Sequence, residues 1–348
     1  MDIVSSFRRR VKGKNLSVVL PEGRDERIIQ VARILRDEQI ARPIVLGKPE
    51  QIESAKAKAG VSLDDIRSIN PKTSDKLDYY AEQYSRQRDG ISIAIARRVV
   101  VKPLFYAGMM VGCGDADASV GGVAGATATV IQAGILTVGL TPGIKTPSSY
   151  FLMTIPDFLG EKDKAFIYAD CAVNIEPTAE QLADIALASA HSAKNLLSQE
   201  PRVAMLSFST KGSAASPSVD KVKEALKIAQ AREPELAIDG EFQLDSAIVP
   251  AVAARKVKDD SAVAGRANVI IFPDLNSGNI AYKLTQYMAG AQAIGPFLQG
   301  FAKPIADLSR GASVEDIVAT VVLTLGQLLE DANANKKGQE LRTVKGQS

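Results

Sequence analysis

The 348-residue chain is 46% hydrophobic and 24% charged, and its 42 lysines and arginines stand against 40 acidic residues for a net charge of +2. That length exceeds what one core usually organises, so two domains are expected, and the even charge, with no basic segment interleaved with aromatics, excludes a nucleic-acid groove. A single histidine, His191, and two distant cysteines, Cys113 and Cys171, exclude a histidine-rich metal site, a cysteine zinc site and a disulfide framework.

The opening segment "MDIVSSFRRRVKGKN" has basic residues but neither the apolar core nor the small-residue cleavage site of a secretory signal, so a cytoplasmic location is expected. Apolar strand-like runs then alternate with amphipathic helical stretches: "LSVVLPEG" with "RDERIIQVARILRDEQ", and "RPIVLG" with "KPEQIESAKAKAG". Between about residues 74 and 113 the strands pause, and "SDKLDYYAEQYSRQRDG" followed by "ISIAIARRVVVKPLFYAGMMVGCG" reads as consecutive helices. Alternation resumes at "DADASVGG" and continues through "RVAMLSFST" with "SVDKVKEALKIAQA" and "ANVIIFPD" with "NIAYKLTQYMAG". This is an α/β pattern with mainly parallel sheets. His191 lies inside the helical "PTAEQLADIALASAHSAKNLL" with no motif around it, so acid–base work here proceeds without imidazole. No apolar run reaches the roughly 18 residues of a membrane span without a turn signal. The last stretch, "NANKKGQELRTVKGQS", is polar and lacks an apolar face, which predicts a frayed tail.

In open α/β sheets ligands bind outside the carboxyl ends of strands, so the strand-to-helix loops are the candidate sites. "SVGGVAGATATVI" places Gly121, Gly122 and Gly125 where a backbone can approach a phosphate, although it has neither P-loop nor dinucleotide spacing, and a tight turn accounts for the glycines equally well. "TKGSAASPS" offers Thr210, Lys211, Gly212 and Ser213 as hydroxyls, a cation and free N–H groups, with a solvated loop as the alternative. "FPDLNSGNIAYK" brings Asn276, Gly278, Asn279 and Lys283 to another such junction. In "PIADLSRGASVEDIV", Ser313 and Asp316 fit a capping box, which by itself is a complete structural account of both. What the cap leaves unexplained is Ser309 and Arg310 on a glycine-flanked turn just before a helix, an arrangement that gathers anion donors.

The blocks "MLSFSTKGSA", "IDGEFQLDSAIVP", "GRANVIIFPDLNSGNIAYK", "AIGPFLQGFAKPIADLSRG" and "SVEDIV", with "LPEGRDERI" and "YADCAVNIEPTAEQLADIA", resemble phosphate acetyltransferase, or phosphotransacetylase. They cover nearly the whole chain in order. The resemblance implies reversible acetyl transfer between CoA and phosphate on two α/β/α domains with mainly parallel sheets around an interdomain cleft, related to isocitrate and isopropylmalate dehydrogenases. It implies a first domain of residues 1–145 closed by 300–348, and an inserted second domain of 146–299. It further implies a homodimer, small-molecule partners (CoA or acetyl-CoA, phosphate or acetyl phosphate), no metal and no cofactor beyond CoA as substrate.

By matching motifs, the catalytic serine, arginine and aspartate of the family fall on Ser309, Arg310 and Asp316, and an arginine of the CoA site falls on Arg86. Thr210, Lys211, Gly212, Asn276, Asn279 and Lys283 are the further substrate candidates. One position departs. Where the family commonly has Thr-x-Asp-x-x-Arg-Pro, this chain has Thr127, Thr129, Gln132 and Ala133, so Gln132 replaces a forked cation of the substrate or CoA site. Ala306 likewise stands where asparagine is usual. Two other readings stay open at this stage: a non-catalytic acyl-CoA or acyl-phosphate sensor, and an acyltransferase preferring propionyl or butyryl groups. A dehydrogenase lacks its dinucleotide fingerprint here.

Overall fold

A computed structural model describes residues 3–197 and 199–345, with side chains to residue 329. It divides the chain into one unit of Met1–Gly139 with Phe301–Ser348 and another of Leu140–Gly300. The first unit opens with α1 (Ile3–Val11), β1 (Ser17–Leu20), α2 (Glu26–Asp37), β2 (Arg42–Leu46), α3 (Pro49–Ala59) and β3 (Arg67–Ile69). Helices α4 (Leu77–Arg86), α5 (Ile93–Val100) and α6 (Pro103–Gly112) follow, then β4 (Ala118–Gly121) and α7 (Thr127–Thr137). The second unit holds β5 (Ser148–Phe158), β6 (Glu161–Ala169), α8 (Ala179–Leu196), β7 (Val203–Leu206), α9 (Pro217–Arg232) and β8 (Ile238–Phe242). It continues with α10 (Leu244–Ile248), α11 (Pro250–Lys256), β9 (Val269–Ile271), α12 (Leu275–Met288) and β10 (Gln292–Gln299). The chain returns to the first unit with β11 (Ile305–Asp307) and α13 (Val314–Lys345).

The strands of the first unit run parallel in the order β3–β2–β1–β4–β11. β1 and β4 are buried along their whole length, which is why they read as short apolar runs rather than alternating ones. Register aligns Ile305 with Ser119 and Asp307 with Gly121, so β4 and β11 end side by side. One core gathers Val19, Ile44 and Leu46 with Tyr80, Tyr106, Met109 and Met110. At the start of the chain, Phe7 packs on α13 where Gly326 lacks a side chain: a Cβ there would stand 2.0 Å from the ring.

The helical stretch at 91–114 is split at Lys102–Pro103, because proline cannot donate to the preceding turn and instead begins α6 at its first position. In the second unit the strands follow the order β10–β5–β6–β9–β7–β8, with β10, β5 and β6 antiparallel and the rest parallel. The long β5–β6 hairpin is absent from the sequence reading. Its turn is two residues, Leu159 and Gly160, both at positive φ (53° and 84°), the geometry that matches strand twist but here lacks an Asn-Gly signature. Its inner half joins the core of Phe151, Met153, Phe166, Tyr168, Phe242 and Phe272. At the other end of the chain, α13 runs on to Lys345, into the segment read as a frayed tail, where the lysines, glutamine, glutamate, leucine and arginine are good helix formers. No helix among the described residues is long and apolar enough to cross a membrane.

Candidate active site

At the carboxyl edge of the first unit, three loops leave β1, β4 and β11. The loop after β1 carries Glu22, buried at 8% exposure, whose carboxylate accepts from the backbone N–H groups of Gly122, Val123 and Ala124 at 2.6, 2.9 and 2.9 Å. The glycine turn offered to a phosphate on sequence grounds therefore holds an internal carboxylate. Gly122 must be glycine, since its φ is +119° and a Cβ would meet Asp307 Oδ1 at 2.1 Å.

Asp25 caps α2 by accepting from Arg27 N–H at 3.0 Å, and also takes the Arg27 side chain through Nε at 3.0 Å and Nη2 at 2.8 Å. That hydrogen bond holds the Asp25 carboxyl below its usual range. The remaining donors of Arg27 reach across: Nη1 to the carbonyls of Arg310 at 2.9 Å and Ala312 at 2.8 Å, Nη2 to Val123 O at 3.4 Å. A single guanidinium thus ties the turn after β11 to the turn after β4.

That turn carries Ser309 and Arg310, both exposed. Ser309 accepts from Gly311 N–H through Oγ at 3.4 Å and from Ala312 N–H through its carbonyl at 3.0 Å, closing the turn. The Arg310 guanidinium has no hydrogen bond or ion pair among the described residues. Six residues on, Asp316 forms the box with Ser313 that the spacing predicts. Its Oδ2 accepts from Ser313 N at 3.0 Å and Oγ at 2.9 Å, while its own N–H donates to Ser313 Oγ at 3.1 Å. Oδ1 of Asp316 makes no hydrogen bond among the described residues, so the cap uses one carboxylate oxygen and leaves the other.

The other candidates of this unit are spread. Gln132 is exposed on α7 without a partner among the described residues. Arg86 ends α4, is 71% exposed and pairs with Glu82 at 3.5 Å. The structure brings Ser309, Arg310 and Asp316 into one segment and records no contact from Arg86 to them.

The second unit gathers its candidates at the carboxyl edge of β7 and β9. After β7, Thr210 is buried and accepts from Gln243 N at 2.9 Å. Lys211 pairs with Asp239 and lies over the Phe242 ring at 5.2 Å. Gly212 donates its N–H to Glu241 at 2.7 Å, as Ser209 Oγ does. Burial of Glu241 works against its charge, yet these donors outweigh it and keep the carboxyl below its ordinary range. After β9, Asp274 caps α12, Asn276 is exposed, and Asn279 donates to Cys171 O at 3.0 Å. Lys283 is exposed and covers the Tyr282 ring at 4.3 Å. Among the described residues, no three His, Cys, Asp or Glu side chains group as metal ligands.

Residues 2–325 match the model of the family described as Phosphate acetyl/butaryl transferase. The chain belongs to that family. It is 45% identical over 329 residues to a phosphate acetyltransferase from Thermoanaerobacterium thermosaccharolyticum, covering 94% of this chain and 99% of the relative. It is 44% identical over 333 residues to one from Treponema pallidum, again covering 94% and 99%. A phosphotransacetylase crystal structure from Streptococcus pyogenes superposes with a TM-score of 0.88 at 41% identity, covering 94% of this chain and 98% of that one. Family membership accounts for the motif blocks, but three residues that build the edge of the first unit, Glu22, Arg27 and Asp307, escaped the sequence reading. The signal available for the first two was "LPEGRDER", charged residues crowded behind a buried strand.

Proposed function

We propose that this protein transfers an acetyl group reversibly between CoA and phosphate, with Ser309, Arg310 and Asp316 as the reacting machinery. The observation that carries the reading is the Arg310 guanidinium: exposed, unpaired among the described residues, and held by its own carbonyl through Arg27 beside the start of α13. An arginine fixed by its backbone and free at its fork suits a phosphoryl oxygen pair.

In the direction of thioester synthesis, the CoA thiol loses its proton to Asp316, the sulfur attacks the acyl carbon, and the tetrahedral oxyanion collapses with loss of phosphate, held by Arg310. Ser309 donates a hydrogen bond to the sulfur or the oxyanion. Phosphate is already a good leaving group, so the reaction asks for no metal and no cofactor beyond CoA itself. The costly step is deprotonation: an ordinary thiol and an ordinary aspartate differ by about 4.6 pKa units, roughly 6 kcal/mol uphill. Compensation comes on the thiolate side, from Arg310 and the opening N–H groups of α13, as for cysteines at helix N-termini. In the second unit, Thr210, Lys211, Gly212, Asn276, Asn279 and Lys283, with Arg86 and Gln132 of the first, are proposed to contact the substrates.

The protein is further proposed to act as a cytoplasmic homodimer. Supporting the dimer, α12 presents Ile280, Leu284, Tyr287 and Met288 at i, i+4, i+7 and i+8, exposed at 57%, 51%, 80% and 80%. The function is tested by following thioester absorbance with CoA and acetyl, propionyl or butyryl phosphate. Turnover highest with the acetyl compound is the expected result. Preference for a longer chain would change the substrate, and binding without turnover would point to a sensor.

A further inference from the structure

Asp307 is the last residue of β11, two positions before Ser309, and is 1% exposed. Its Oδ2 accepts from Thr127 Oγ1 at 2.5 Å, at the first position of α7, while Oδ1 is buried with no hydrogen-bond partner among the described residues. Oδ1 faces the bare Cα of Gly122, and the N–H groups that could have served it (Gly122, Val123, Ala124) are turned to Glu22 instead. The fold thus buries a carboxylate with half its hydrogen bonding unmet, close to a second carboxylate. Such a group costs stability, and a costly feature beside a site is a candidate for serving it.

We propose that Asp307 is a positioning residue: gripped by Thr127 and seated on Gly122, it sets where the chain leaves β11 and so where Ser309 and Arg310 stand. The proposal rests on the reading of Ser309 and Arg310 as reacting groups. Burial pushes the Asp307 pKa up to about 6, against the hydrogen bond from Thr127 and with the help of Glu22. Other charged groups near the turn are Arg27, which binds the carbonyls of Arg310 and Val123, and its partner Asp25. Protonation below that range strips the Thr127 bond of its charge assistance and loosens the grip.

Asp307→Asn keeps the shape and removes the charge. At pH 8 the variant should melt higher than the parent, while kcat for acetyl-CoA formation falls roughly tenfold and both KM values stay within about twofold, the size expected for losing one charge-assisted hydrogen bond. The parent's kcat should show an acid limb near pH 6 that the variant lacks. Thr127→Val should lower kcat alike without raising the melting point, and the double variant should be no worse than the poorer single one. An unchanged kcat in Asp307→Asn, a surviving acid limb, or a loss of kcat accompanied by a lower melting point overturns the positioning role. A parent that makes no acetyl-CoA overturns instead the reading on which it rests, so the two failures are told apart by the parent alone.

Discussion

Asp316 shows how one side chain can answer two demands. Its Oδ2 is spent on Ser313, yet a carboxylate has a second oxygen, and Oδ1 is uncommitted among the described residues. The capping box and the proposed base are therefore compatible, although the spacing presents them as rivals. Gln132 poses the opposite case, a neutral side chain where the family commonly holds a fork of donors. It is exposed and unpartnered among the described residues, so nothing stands in the way of a larger cation. Gln132→Arg is expected to lower KM for CoA or raise kcat by roughly tenfold, the worth of one charge-assisted contact; steady-state kinetics check it, and an unchanged enzyme would mean the site is built around glutamine. Asp307 gives a pH prediction with a definite sign. Its folded pKa of about 6 exceeds the ordinary aspartate value, so ionisation in the folded state carries a penalty that is absent below about pH 4 and complete above pH 6. Asp307→Asn should then gain up to about 3 kcal/mol at pH 8 in denaturant melts, and next to nothing near pH 4.

Among elements, the turn between β4 and α7 sets the geometry of the first unit's edge. It is bound from one side by Glu22 and touched from the other by Asp307, and it survives because Gly122 has no Cβ. Gly122→Ala should destabilise by about 3 kcal/mol through positive φ and overlap with Asp307 and Leu308. Gly125→Ala is the control, since a Cβ there meets nothing closer than Glu22 Oε1 at 3.9 Å. Equal melting of the two variants would contradict this account of the turn. The contrast also explains what was legible beforehand. Ser309, Arg310, Ser313 and Asp316 declare themselves within a few residues, so a local reading finds them. Glu22 serves an amide 100 residues away and Arg27 a carbonyl 283 away, contacts that exist only once β1, β4 and β11 lie in register. The β5–β6 hairpin escaped for another reason: its turn takes positive φ at a leucine, which no composition rule favours.

For the molecule as a whole, alternation of apolar runs and amphipathic helices was enough to give α/β architecture, and motif blocks gave the family. They did not show that α12 would leave a continuous apolar stripe, because a helix with a well-formed pattern reads the same whether its partner is its own sheet or another chain. Tyr287→Asp with Met288→Asp, both at positions 80% exposed, should leave the fold intact and convert a dimer to a monomer in sedimentation; a parent already monomeric would contradict the proposed assembly. The most direct test of the central claim, that hydroxyl, guanidinium and acid at the start of α13 jointly control a thiolate, is kcat of Asp316→Asn measured beside its melting point. The account predicts a loss of roughly a hundredfold or more in kcat with a shift in stability of about 1 kcal/mol or less, since asparagine can still accept from Ser313. A variant that melts earlier but turns over acetyl phosphate like its parent would leave Asp316 a cap and nothing more.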